Sequence, residues 1–201
     1  MDSLLDNWNK YSESISLAIE QLNKRQIVSF GAWSLFPFIK DKGIMCFIES
    51  LFGEEFVKKI ICYIFSCWDG KQTDEETKTV YGELSELILD DDVVVVITIE
   101  NEDSLKGATD FLDGVLMLSD YILTGNKKMV SKGCAYKPLD RIYYKINFHK
   151  EDDIDILILE DIFEKEMKNQ LKMIEVISES QRGELQIERH HEELINIFTK
   201  Y

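Results

Sequence analysis

Proline is nearly absent: two in 201 residues, at Pro37 and Pro138. Long stretches are therefore free to be helical. Ten glycines do not gather into a linker, and neither a repeat nor a low-complexity tract divides the chain, so a single helical domain over residues 1–201 is expected. Long apolar runs are missing as well. The longest are Ile60–Phe65 and Val93–Ile97, against the roughly 18–20 residues of a membrane span. Met1-Asp2-Ser3 opens without a basic region or an apolar stretch, so no secretory signal is expected and a cytoplasmic location follows. Basic residues are also short: 23 Lys and Arg face 38 Asp and Glu, a net charge of −15. That sign excludes a nucleic-acid binder, which normally shows a basic stripe, and an anionic membrane surface as partner. It does not signify disorder, because eleven Phe, eight Tyr and three Trp are enough to fill a core.

Residues that do chemistry are sparse. Four cysteines, Cys46, Cys62, Cys67 and Cys134, form no CxxC pair and stand in apolar surroundings, which reads as small buried hydrophobes of a reducing cytosol. The histidines are His149, His190 and His191. Neighbours on a helix point about 100° apart, so His190 and His191 do not share a metal. Glu188 and His191 make one Glu-x-x-His pair, but di-iron bundles need two, and a solvated last helix is the expected setting. Asp90-Asp91-Asp92 and Asp152-Asp153-Ile154-Asp155 lack the glycine and terminal glutamate of an EF-hand loop. Neither a Gly-x-Ser-x-Gly elbow nor a phosphate loop nor a Gly-x-Gly-x-x-Gly turn occurs. No enzyme, metal or cofactor is expected.

Helical periodicity is what the chain has in quantity. Leu4, Leu5, Trp8, Tyr11, Ile15, Ala18, Ile19 and Leu22 recur at three and four, a helix over about Ser3–Asn23. A second runs from Arg25 to about Phe36, where Pro37 closes or kinks it. Asp41–Phe52 and Glu54–Trp68 follow, the latter apolar nearly all round and so expected at the centre of the core. Thr73 with Glu76 is a capping box that opens a helix to about Leu89. Leu105–Leu123, a segment starting over Asn126–Lys132, Ile154–Ser180 and Gly183–Phe198 complete the series. Two stretches favour strands when read alone. Val93–Ile99 is seven β-branched residues, and Arg141–Phe148 alternates Ile142, Tyr144, Ile146 and Phe148. The expected fold is an all-α, multi-helix bundle, with a small hairpin of 93–99 and 141–148 (an α+β protein) as the alternative.

The placement of charge is more informative than its sum. Residues 68–120 hold fifteen acids against Lys71, Lys78 and Lys106, a net of −12, while 1–67 and 121–201 carry −1 and −2. Like charges this dense repel one another, and a use for them is to steer a basic partner. Nucleases are such partners, since their clefts attract phosphate, and an acidic surface seated in that cleft mimics the substrate's charge. Asp90, Asp91, Asp92, Glu100, Glu102 and Asp103 are the expected phosphate-mimicking carboxylates. Glu83 and Glu86 flank them, and Tyr81 is the expected aromatic anchor.

Gln26-Ile27-Val28-Ser29-Phe30-Gly31-Ala32 resembles the YjaG-like family of small, uncharacterised bacterial helical proteins, which carry Gln-x-Val-Thr/Ser-Phe-x-Ala after a first amphipathic helix. The likeness resumes at Ile60–Trp68, at Phe111–Asp120 with its Leu-Ser-acid step, at Thr124-Gly125, at Val130-Ser131-Lys132 and in the acidic helix Ile154–Ile177. The chain lacks the proline that family members carry before the Asp-containing helix, and Val93–Ile99 has no counterpart. The resemblance implies an all-helical fold and no activity. By type, a small acidic chain leaning to Lys, Ile and Asn is also similar to immunity proteins of contact-dependent or colicin-like toxin systems. The expected function is thus a bacterial immunity protein, an antitoxin that neutralises a basic toxin domain. The alternative is a helical housekeeping or adaptor protein without a toxin partner.

Overall fold

The computed structural model describes residues 2–89, 102–148 and 156–179, together with Ile187, His191 and Ile195. Among the described residues the chain is all-α, with no strand. The order is α1 (Asp2–Glu20), α2 (Lys24–Lys40), α3 (Lys42–Phe52), α4 (Glu54–Asp69), α5 (Asp74–Leu89), α6 (Glu102–Thr124), a π-helical turn (Met129–Cys134), α7 (Tyr136–Phe148) and α8 (Ile156–Glu179). Val93–Ile99, the acids at 152–155, His149 and His190 lie outside the described residues.

Local chemistry sets most of the boundaries. Asn23 and Gln26 form a capping box for α2: Gln26 N–H donates to Asn23 Oδ1, and Asn23 N–H donates to Gln26 Oε1, both at 3.0 Å. Asp41 Oδ1 accepts from Ile44 N–H at 3.1 Å and starts α3. The expected Thr73–Glu76 box is formed at α5, with Glu76 N–H on Thr73 Oγ1 at 3.1 Å. Gly70, at φ 64°, closes α4 in the left-handed conformation that glycine alone adopts without cost.

The centre of the core is α2, not α4 as the apolar content suggested. Every residue from Ile27 to Phe38 is buried, because α3, α4, α6, α7, α8 and the π-helical turn all pack on it. Small residues permit that approach: a Cβ on Gly31 would stand 2.7 Å from Leu118 Cδ1 of α6, and one on Gly114 would fall into Leu35 Cδ2. By contrast α4 buries one face (Val57, Ile60, Tyr63, Ile64, Cys67) and leaves Phe65 partly exposed. The buried apolar residues form one cluster from Tyr11 on α1 to Ile187 near the C-terminus.

Three further expectations are corrected, and the strand alternative at 141–148 is set aside. Helix α2 does not end before Pro37 but runs on to Lys40. Proline removes the N–H that would bond the carbonyl four residues back, here that of Trp33. That carbonyl instead takes a hydrogen bond from His191 Nε2 at 2.8 Å. Since a carbonyl only accepts, Nε2 carries the proton. The imidazole is fully buried, stacked on the Trp33 ring at 4.0 Å. His191 is therefore not on a solvated face; it repairs the break that Pro37 makes in the central helix. Arg141–Phe148 is helix rather than strand. Leu139, Arg141, Ile142 and Lys145 are buried while Tyr143 is 59% exposed, a helical pattern that the alternation of Ile142 and Tyr144 conceals. Of the cysteines, only Cys67 and Cys134 are buried; Cys46 and Cys62 are exposed.

Candidate functional site

The acids of the −12 block divide into two groups, those free on the surface and those consumed inside the fold. On α5, Asp74, Glu75 and Glu76 occupy the first turn, where the helix dipole favours negative charge. Tyr81 is half-buried and Glu86 exposed. Glu83 is paired: Lys59 Nζ of α4 reaches its two carboxylate oxygens at 2.7 and 2.9 Å. Asp74, Glu75 and Glu86 make no ion pair among the described residues. Asp90, Asp91, Asp92 and Glu100 lie outside the described residues.

The first turn of α6 departs from the expectation of free carboxylates. Glu102 is exposed and accepts from Tyr144 O–H at 2.8 Å. Asp103 is gripped in bidentate fashion by Arg141 of α7: Nη1 donates to Oδ1 at 2.6 Å and Nη2 to Oδ2, while Nη1 also donates to the Asp103 carbonyl at 2.7 Å. Lys145 Nζ adds a bond to Oδ2 at 3.3 Å. Burial works to raise the Asp103 pKa, but Arg141 and then Lys145 outweigh it and hold the carboxyl below its usual range. Burial, followed by the nearby Arg141 charge, lowers the Lys145 ammonium. The Arg141 side chain is 1% exposed and also faces Asp41, the cap of α3, at 3.7 Å. A carboxylate held this way is not on offer to a partner.

Two turns further along, Asp110, 1% exposed, receives Lys106 Nζ on both oxygens at 2.6 Å and Lys137 Nζ at 3.4 Å. Lys137 also bonds Asp113 at 3.2 Å. Burial and the neighbouring Asp110 charge push the Asp140 carboxyl up. The whole is an ionic seam: acids at 103, 110 and 113 of α6 against bases at 137, 141 and 145 of α7. Neutralising partners missing from 68–120 are thus supplied by a helix distant in sequence. The signal was present in the chain, because Lys137, Arg141 and Lys145 recur at four residues and share one helix face. Charge counted along the chain, rather than by face, conceals it.

Chemically the seam is a clamp. Its carboxylates are occupied by ammonium and guanidinium groups, and no group of three or more His, Cys, Asp or Glu among the described residues is placed to hold a metal ion. Burial pushes the Cys67 thiol up to about 12 and raises that of Cys134 well above its ordinary value, so both stay protonated. No helix among the described residues is long and apolar enough to cross a membrane.

The class these features define is an all-α, multi-helix protein with a charged seam inside and an acidic helix outside. No family model, no curated protein and no solved structure matches the chain.

Proposed function

We propose that the chain is an immunity protein that binds a basic bacterial toxin domain, most naturally a nuclease, through an acidic surface centred on α5 and the residues that follow it. The observation that carries this reading is the contrast between neighbouring acids. Asp103, Asp110 and Asp113 are neutralised inside the fold, whereas Asp74, Glu75 and Glu86 on α5 have no counter-charge among the described residues. Glu86 leads directly into Asp90, Asp91 and Asp92 in sequence. Unneutralised like charge destabilises a folded chain, and steering an oppositely charged partner is a use that offsets that cost. Tyr81 on the same helix, with its polar tip and apolar body, is a suitable contact for such a partner. Glu102 stays in the proposed surface; Asp103 leaves it, and Glu83 shares its charge with Lys59.

The reading expects a basic toxin domain to be encoded beside this gene, and co-expression with such a domain tests it. A chain carrying Glu86→Lys with Asp90, Asp91 and Asp92 changed to Lys should fold with an unchanged melting temperature and lose protection. Full protection by that variant removes the acidic surface from the mechanism. Asp103→Asn separates the two roles: its effect should fall on stability, with protection retained at temperatures where it is folded.

A further inference from the structure

A cleft of about 480 Å³ opens between α1 and the π-helical turn, within the size range of small-molecule sites. It belongs to none of the acidic surface. Lys127, Lys128 and Lys132 line one side, three cations within six residues of a chain whose net charge is −15. Ser12 and Ser16 of α1 and the buried Ser131 add hydroxyls. Lys127 is already used: its Nζ donates to the Glu20 carbonyl at 2.8 Å and pairs with the Glu20 carboxylate at 3.3 Å. Lys128 and Lys132 are exposed and make no ion pair among the described residues, although like charges four residues apart repel. Glu13 is the one lining acid not paired with a lysine. The turn itself is π-helical, with Ala135 N–H bonded to Val130 O at 3.0 Å, a rare geometry frequent at functional sites. The opposite wall carries Leu17, at 67% exposure the most open large apolar side chain among the described residues.

We infer that this cleft binds a small organic phosphate, with the phosphate between Lys128 and Lys132 and the apolar body against Leu17. Two flexible ammonium groups suit a phosphate as point charges, the unpaired cations gain a counter-ion, and the exposed leucine gains cover. The binding is distinct from the proposed toxin capture and does not depend on it.

Phenyl phosphate is a sufficient probe, titrated into the full chain at constant ionic strength and followed by backbone amide NMR, with inorganic phosphate and phenol alongside. Saturable shifts confined to residues 12–20 and 127–134 are expected, with phenyl phosphate about tenfold tighter than inorganic phosphate and phenol silent. Lys128→Ala with Lys132→Ala, both exposed and therefore harmless to folding, should weaken phenyl phosphate about tenfold or more. Leu17→Ala should bring phenyl phosphate to the level of inorganic phosphate. Shifts scattered beside lysines over the whole chain, or an affinity unchanged in the double variant, would overturn the site; equal affinity of the two phosphates would overturn its apolar half.

Discussion

Glu166 places an ionisable group where the fold has no water for it, and the consequence is measurable. It sits on α8, 1% exposed, beside Gln170, which is wholly buried. Gln170 Nε2 donates to the Ala135 carbonyl at 2.9 Å and to Glu166 Oε1 at 3.0 Å, and Tyr11 O–H donates to Gln170 Oε1. Glu166 Oε2 has no hydrogen-bond partner among the described residues. Burial dominates and pushes the carboxyl up to about 8, with the Gln170 bond opposing only in part. In the unfolded chain the same group titrates near 4.3. Below that pH it is protonated in both states and contributes nothing. Between the two values the unfolded chain releases the proton while the folded chain keeps it, so stability falls as pH rises, at about 1.4 kcal/mol per unit, and levels off above the folded value. From pH 5.5 to 7.5 the loss attributable to this one group is about 2–3 kcal/mol. Glu166→Gln keeps an acceptor for Gln170 and cannot ionise. Urea unfolding of both proteins at the two pH values isolates the effect, since every other titrating group cancels in the difference. The wild type should lose about 2–3 kcal/mol more than the variant across that interval. Parallel pH profiles would refute the burial argument.

The bond from His191 to Trp33 predicts a coupling across the chain. His191→Ala should cost about 2 kcal/mol, from a buried carbonyl left bare and a stacked ring removed. Pro37→Ala restores the missing N–H, so in that background the same substitution should cost clearly less; a double-mutant cycle by denaturant unfolding measures the difference. At the ionic seam, Arg141→Ala strands Asp103 beneath the surface of α7 and should destabilise by about 3–5 kcal/mol. Because Arg141 holds the Asp103 carboxyl below its usual range, the stability it contributes is present above the ordinary Asp pKa and lost as pH falls through the depressed one. Asp103→Asn should therefore flatten the acid limb of a thermal-melt profile.

What the chain discloses without a structure divides by distance. The Thr73–Glu76 box and the start at Asp41 are written in adjacent residues, and the all-α reading rested on helical periodicity and scarce proline together with such marks. The strand alternative at Arg141–Phe148 arose because two periods overlap there, and helix won once α7 had α8, α6 and α2 to pack on and buried Leu139, Ile142 and Lys145. The central place of α2 was hidden behind Ser29, Gly31, Ser34 and Pro37, which lower its apolar count yet let neighbours approach on every side. His191 and the α6–α7 seam depend on partners tens of residues or more away in sequence. Neither runs of charge nor a Glu-x-x-His spacing discloses them. Of the proposed binding residues, Tyr81, Glu83 and Glu86 lie on α5 as the capping box placed it, Glu102 opens α6 three residues before the expected start at Leu105, and Asp103 was miscounted because its counter-ions come from α7.

Charge-driven capture of a basic partner is the central claim, and association kinetics address it most directly. Stopped-flow mixing of this chain with its proposed partner, a basic toxin domain expected to be encoded beside its gene, from about 20 mM to about 150 mM salt, spans the range over which surface charges become screened. An on-rate that falls about tenfold or more across that range, with the slope largely abolished by reversing Glu86 and Asp90–Asp92, is the predicted result. A rate indifferent to salt, or a slope unchanged by the reversal, would contradict it.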